Sequence, residues 1–104
     1  MNGICLRLYV QEGRKVHGKL LYEWLLDGAK KLGIRGGTAL KAMAGYGRHG
    51  TLHEARFFEL AGDQTVEVEF FATTQEAESL LALLRTEGVN VFYAKVAAEF
   101  GVLE

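Results

Sequence analysis

Proline is absent from this 104-residue chain, and cysteine occurs once, as Cys5. Without proline there is no rigid linker and no proline-based recognition segment. A lone cysteine excludes an intramolecular disulfide and any multi-cysteine zinc site. Set in an apolar strand pattern, Cys5 reads as a small buried hydrophobe. No run approaches the ~18 apolar residues that span a bilayer. The start, Met1-Asn2-Gly3-Ile4, has neither the charged segment nor the cleavage site of a secretory signal. A cytoplasmic location is expected. Charge of one sign is lacking too: 12 Lys plus Arg stand against 13 Asp plus Glu. That leaves no general attraction to nucleic acid or a membrane surface. Ser79 is the only serine and no Gly-x-Ser-x-Gly occurs, which excludes a serine nucleophile elbow. Gly45-Tyr46-Gly47 leads into a loop rather than a helix, so it fails as a dinucleotide fingerprint, and no Walker-type phosphate loop is present. With no catalytic constellation, an enzyme is not expected.

What the chain does have is a stretch of small residues, Gly36 to Gly50, entered through Gly36-Gly37 and left through the basic turn Gly45-Tyr46-Gly47-Arg48-His49-Gly50. Glycines let a ligand or another chain approach the backbone closely. At a strand end beside Arg48 they can offer N–H groups and positive charge to an anion. At this length the chain forms one domain, residues 1–104, burying about 65% of its unfolded surface around a thin core. Contacts with partner subunits would supplement such a core.

Hydrophobic periodicity orders the rest. Residues 4–10 alternate, with Ile4, Leu6, Leu8 and Val10 on one face and Cys5, Arg7 and Tyr9 on the other, which predicts a half-buried strand. From Val16 to Leu32 the period becomes helical: Val16, Leu20, Leu21, Trp24, Leu25 and Leu32 form a stripe, and Gly33 ends it after Lys30-Lys31. Gly36–Gly45 reads as a strand and Tyr46–Glu54 as a connection. The run Ala55–Leu60 reads as a further short strand, with Phe57-Phe58 as its anchor. Residues 65–72 alternate again, Val66, Val68, Phe70 and Ala72 against Glu67, Glu69 and Phe71. Thr74 is placed to cap a second helix carrying Ala77, Leu80, Leu81 and Leu84 and closed by Gly88. The last strand runs from Val89 to about Ala97.

Strand, helix, strand, strand, helix, strand is the split βαβ arrangement of a ferredoxin-like α+β fold. It predicts an antiparallel sheet of order 4-1-3-2 with both helices on one face. The other face would carry Arg7, Tyr9, Lys41, Met43, Glu67, Glu69 and Phe71, with the cations on strands flanking the glutamates. A mixed face with internally paired charges suits a subunit interface. His49, His53 and Glu54 form the one histidine–carboxylate group that could suit zinc or copper. A solvated polar loop accounts for them better, so no metal is expected. His17, before the helix, reads as a local polar contact.

The run His17-Gly18-Lys19-Leu20-Leu21-Tyr22-Glu23-Trp24-Leu25-Leu26, then Gly33-Ile34, Gly36-Gly37-Thr38-Ala39-Leu40 and Gly45-Tyr46-Gly47 followed by Leu52-His53, resembles the PII-like bacterial family known as domain of unknown function 190. The resemblance covers essentially the whole chain. It implies a ferredoxin-like subunit in a homotrimer, sheets inward and helices outward, and a signalling role. A small anionic ligand, an adenine nucleotide among the candidates, would sit between subunits. The matching ligand-binding positions are Gly37, Thr38, Gly45, Gly47 and Arg48. The glycine-lysine-glycine loop that follows the second helix in PII proteins has no counterpart in Arg85-Thr86-Glu87-Gly88-Val89. That departure weighs against PII-style ATP or ADP binding. Family members are often encoded near fluoride exporters, so a membrane transporter or a regulatory protein is the implied partner, reached through the loop at residues 46–54. Two other readings stay open: a copper- or zinc-binding tolerance-type trimer built on His49 and His53, and a ligand-free interaction module that pairs through its edge strand.

Overall fold

The computed structural model describes residues 1–46 and 64–104, and residues 52–54 as backbone. In chain order the elements are β1 (Asn2–Gln11), β2 (Lys15–Val16), β3 (Lys19–Leu20), α1 (Leu21–Lys31), β4 (Gly37–Lys41), β5 (Ala44–Tyr46), β6 (Leu52–Glu54), β7 (Thr65–Ala72), α2 (Thr74–Thr86) and β8 (Phe92–Glu99). The chain is thus α+β, with two helices beside an antiparallel sheet. The sheet's four strands stand in the order β4-β7-β1-β8, every neighbouring pair antiparallel.

The central ladder explains why. Leu6 pairs with Phe70, Leu8 with Val68 and Val10 with Val66. Paired residues share a face, so the apolar sets of β1 and β7 merge into one stripe. Both helices cover that stripe. Leu21, Leu25 and Ala29 of α1 and Ala77, Leu80, Leu81 and Leu84 of α2 join it in a single core cluster. Their spacing of three and four residues keeps each set on one side of its helix. Each fully buried leucine contributes about 2–3 kcal/mol through area removed from water.

Helix boundaries are set by particular bonds. Thr73, not Thr74, caps α2: its hydroxyl accepts the Glu76 amide (3.1 Å), and the Glu76 carboxylate accepts the Thr73 amide (2.9 Å). This is a complete capping box. Both helices end alike. The amides of Gly33 and Ile34 donate to the carbonyls of Lys30 (3.1 Å) and Ala29 (3.0 Å), and those of Gly88 and Val89 to Arg85 (3.1 Å) and Leu84 (3.0 Å). Gly33 and Gly88 stand at φ +91° and +67°, the left-handed geometry that closes a Schellman turn.

Other expectations shift. The first helix begins at Leu21 rather than Val16, because residues 15–20 form a two-residue hairpin. His17 (φ +52°) and Gly18 (φ +76°) occupy its turn, the positive-φ pair that matches strand twist. With no side-chain cap at its start, α1 has its Leu21 amide held by the Arg14 carbonyl at 2.8 Å. The Gly36–Gly45 strand is two pieces, β4 and β5, broken at Ala42-Met43. Within the expected connection 46–54, β6 pairs with β5, setting Tyr46 opposite Leu52. The last strand starts at Phe92 rather than Val89. The run Ala55–Leu60, with Phe57 and Phe58, lies outside the described residues.

The face assignment of Lys41 is also corrected. Gly37 lies opposite Phe70, and alternation from there puts Lys41 opposite Val66, on the helix-side parity, with Nζ 2.9 Å from Glu12. Leu40, not Lys41, stands opposite Glu67. Met43 lies beyond the end of β4 and is not part of the sheet face.

Gly37 is required by packing. A Cβ there would lie 2.4 Å from Phe70 Cε1 and 3.0 Å from Leu26 Cδ2, whereas one on Gly45 would meet nothing within 4 Å. Gly37→Ala is therefore expected to cost about 1–3 kcal/mol by overpacking. Gly45→Ala should change stability by less than about 0.5 kcal/mol. Urea unfolding of the two variants against wild type checks both values.

Candidate functional site

Two surfaces combine exposed apolar groups with fixed charges. The first follows from how α1 ends. The Schellman turn sends Ile34 into the core and leaves Arg35 and Gly36 exposed before β4 begins. A cleft of about 280 Å³ opens there, floored by Leu26, Ile34 and Phe70 and edged by Asp27, Lys30 and Arg35. Lys19 hydrogen-bonds the Asp27 carboxylate and holds it below the usual range, helped by the charges of Lys31 and Lys30. Asp27 is thus an occupied anion, and Arg35 makes no ion pair among the described residues. The rim is cationic and the floor apolar. The arrangement sets positive charge beside a shallow apolar depression.

The second surface is the sheet face away from the helices. At its centre Arg7 Nε lies 3.4 Å from both Glu67 Oε1 and Glu69 Oε2. The guanidinium is held more firmly protonated by Cys5 first, and then by the two carboxylates. Tyr9 packs on Phe92 with ring centroids 5.7 Å apart, and Phe71 on Phe100 at 5.6 Å. The outer groups are left in water: Phe92 is 70% exposed, Leu40 49%, Phe71 46% and Val96 46%. Large apolar side chains gathered on one face mark an interaction surface.

The predicted ligand residues do not all converge. Gly37 turns toward the helices, where Phe70 fills the space at its Cα, and Thr38 shares the open face with Glu69. Gly45 lies on the β5–β6 ladder opposite His53. Gly47, Arg48 and His49 lie outside the described residues, as do the side chains of His53 and Glu54. Among the described residues no group of three His, Cys, Asp or Glu could hold a metal ion, and no helix is long and apolar enough to cross a membrane. His17 makes a polar contact, 3.3 Å from Glu87, but the partner lies 70 residues along the chain rather than nearby as expected. On the open face, Arg7, Tyr9, Glu67, Glu69 and Phe71 do meet.

Sequence reasoning missed the cleft and the contribution of β8. Lys30, Ile34 and Arg35 were legible as a cationic, apolar-flanked turn in Lys30-Lys31-Leu32-Gly33-Ile34-Arg35-Gly36-Gly37. Phe92 and Val96 were not assigned a face, because Phe92–Ala98 is apolar at nearly every position and shows no clean alternation.

Comparison with known proteins adds a family. The model of domain of unknown function 190, described as "Uncharacterized ACR", matches residues 3–91. A UPF0166 protein of Aquifex aeolicus is 30% identical over 96 residues, covering 85% of this chain and 91% of that protein. A UPF0166 protein of Methanocaldococcus jannaschii is 36% identical over 64 residues, covering 62% of this chain and 58% of its own length.

The depressed Asp27 carboxylate yields a pH prediction. A carboxyl lowered on folding stabilises the fold above its unfolded value of 3.8, and that contribution is lost as pH falls through the depressed value. Asp27→Asn should therefore be slightly less stable than wild type at pH 7. The gap should close below pH ~4, toward pH 2, in urea titrations at low ionic strength.

Proposed function

We propose, since the chain belongs to the PII-like family of domain of unknown function 190, that it is a regulatory rather than catalytic protein. In this reading ferredoxin-like subunits assemble as a trimer through their open sheet faces. A small anionic ligand, an adenine nucleotide being the first candidate, binds at the crevices so formed. The segment 46–54 then alters its docking on a partner protein, with a membrane transporter or another regulator as the partner class.

One observation carries this reading: four large apolar side chains, Leu40, Phe71, Phe92 and Val96, stand in water around the Arg7–Glu67–Glu69 group. Exposed apolar groups gathered around a partly neutralised charge cluster make a face suited to burial against a second copy. The cationic cleft supports the anion part. Arg35 and Lys30 lie beside the Gly36-Gly37 turn, where β4 is the edge strand of the sheet among the described residues. Gly45, with open space where a side chain would stand, leaves room for close approach from outside the subunit. Ligand binding can move the 46–54 segment only by the difference in its affinity for the two arrangements.

Light scattering should give three times the subunit mass of 11.5 kDa. Phe92→Ser should shift the species toward single subunits by at least tenfold in association constant, since burying a phenylalanine is worth about 1.5–3 kcal/mol. A wild-type protein that stays single at high concentration removes the trimer. Titration calorimetry with ATP, ADP, AMP and cyclic dinucleotides is expected to show binding of at least one, weakened by Arg35→Glu. Silence across that panel at millimolar ligand removes nucleotide sensing and leaves the assembly standing.

A further inference from the structure

We propose that assembly through the open face takes up protons, so that association strengthens as pH falls. The inference rests on the assembly reading above and adds its regulation. Among the described residues the titratable groups on this face are Cys5, Arg7 and Tyr9 from β1 and Glu67 and Glu69 from β7, and β4 and β8 add no charge to it. One guanidinium of the described sheet therefore stands against two carboxylates, an excess of one negative charge per subunit.

A face that meets copies of itself cannot cancel its own excess. Each added subunit brings one arginine and two more glutamates, so three copies bring three surplus carboxylates to one buried region. The glutamate side chains are already only 25% and 22% exposed, and a neighbouring copy removes much of the remaining water. Burying a carboxylate without a partner is costly, and protonation relieves that cost by neutralising the group. The remaining carboxylate keeps Arg7. Glu69 lies directly opposite Arg7 in the ladder and keeps that pairing, which leaves Glu67 as the surplus group. The assembled form then holds more protons than the separate subunits, and linkage requires association to weaken as pH rises. One proton per subunit gives up to about tenfold per subunit per pH unit across the uptake range.

The test is sedimentation equilibrium of the full chain from pH 5.5 to 8.0 at constant ionic strength, for wild type and Glu67→Gln. Wild type should dissociate progressively as pH rises. Glu67→Gln, which leaves Arg7 and Glu69 matched one to one, should associate at least tenfold more tightly than wild type at pH 8.0 and lose the slope. The histidines are unchanged in this variant, so any slope they cause survives in it. Arg7→Met should weaken association at pH 8.0 and steepen the slope. A pH-independent oligomer, or a Glu67→Gln protein that keeps the wild-type slope, overturns the proton coupling alone. Single subunits at every pH and concentration, in wild type and variant, overturn the assembly reading and the coupling with it.

Discussion

The register between β1 and β7 is the constraint from which the rest of the molecule follows. Leu6, Leu8 and Val10 lie opposite Phe70, Val68 and Val66, and the intervening Arg7 lies opposite Glu69. A slip of one residue would turn the leucines outward and drive Arg7 and the glutamates into the helices. Hydrophobic burial on one side and charge pairing on the other therefore select the same alignment. The apolar side supplies most of the free energy, since the charge group is still reached by water and such pairs contribute little. The charge side contributes direction, marking which face stays free of helices.

That register also links core to surface at the α1–β4 turn. Phe70 is buried in the core cluster and forms the floor of the cationic cleft. Its ring occupies the space a side chain at position 37 would need. The glycine pair entering β4 thus serves two ends. Gly37 accommodates the core ring, and Gly36 leaves the backbone bare beside Arg35. At the opposite end of α1, the two-residue hairpin is tied to the C-terminus of α2 and the residues after it, through His17 to Glu87 and Arg14 to the Asn90 carbonyl.

Much of this was legible in the residues, and the misses have physical causes. Alternation in 4–10 and 65–72 named every inward residue of the two central strands, because each strand has one apolar and one mixed face. Gly33 and Gly88 marked the helix ends, since left-handed closure there favours glycine. The start of α1 was missed because Val16 and Leu20 fit a helical stripe while His17-Gly18 is equally a hairpin turn. Periodicity cannot separate the two over so short a run. Lys41 was placed on the wrong face because β4 is short and rich in small residues, so nothing within it fixes the parity. Thr73 and Thr74 compete for one cap, and the bond to Glu76 decides between them.

The chain's own pattern therefore determined the kind and order of its main strands and two helices, the inward residues of its central strands and the family resemblance. Those depend on local periodicity and turn chemistry, which neighbouring residues carry by themselves. That Leu40 rather than Lys41 joins the Arg7–Glu67–Glu69 group, and that Phe92 and Val96 complete an apolar surface, were decided only by the folded sheet. Those facts rest on pairing between residues far apart in the chain, and such pairing exists only once burial of the shared core has brought the strands together.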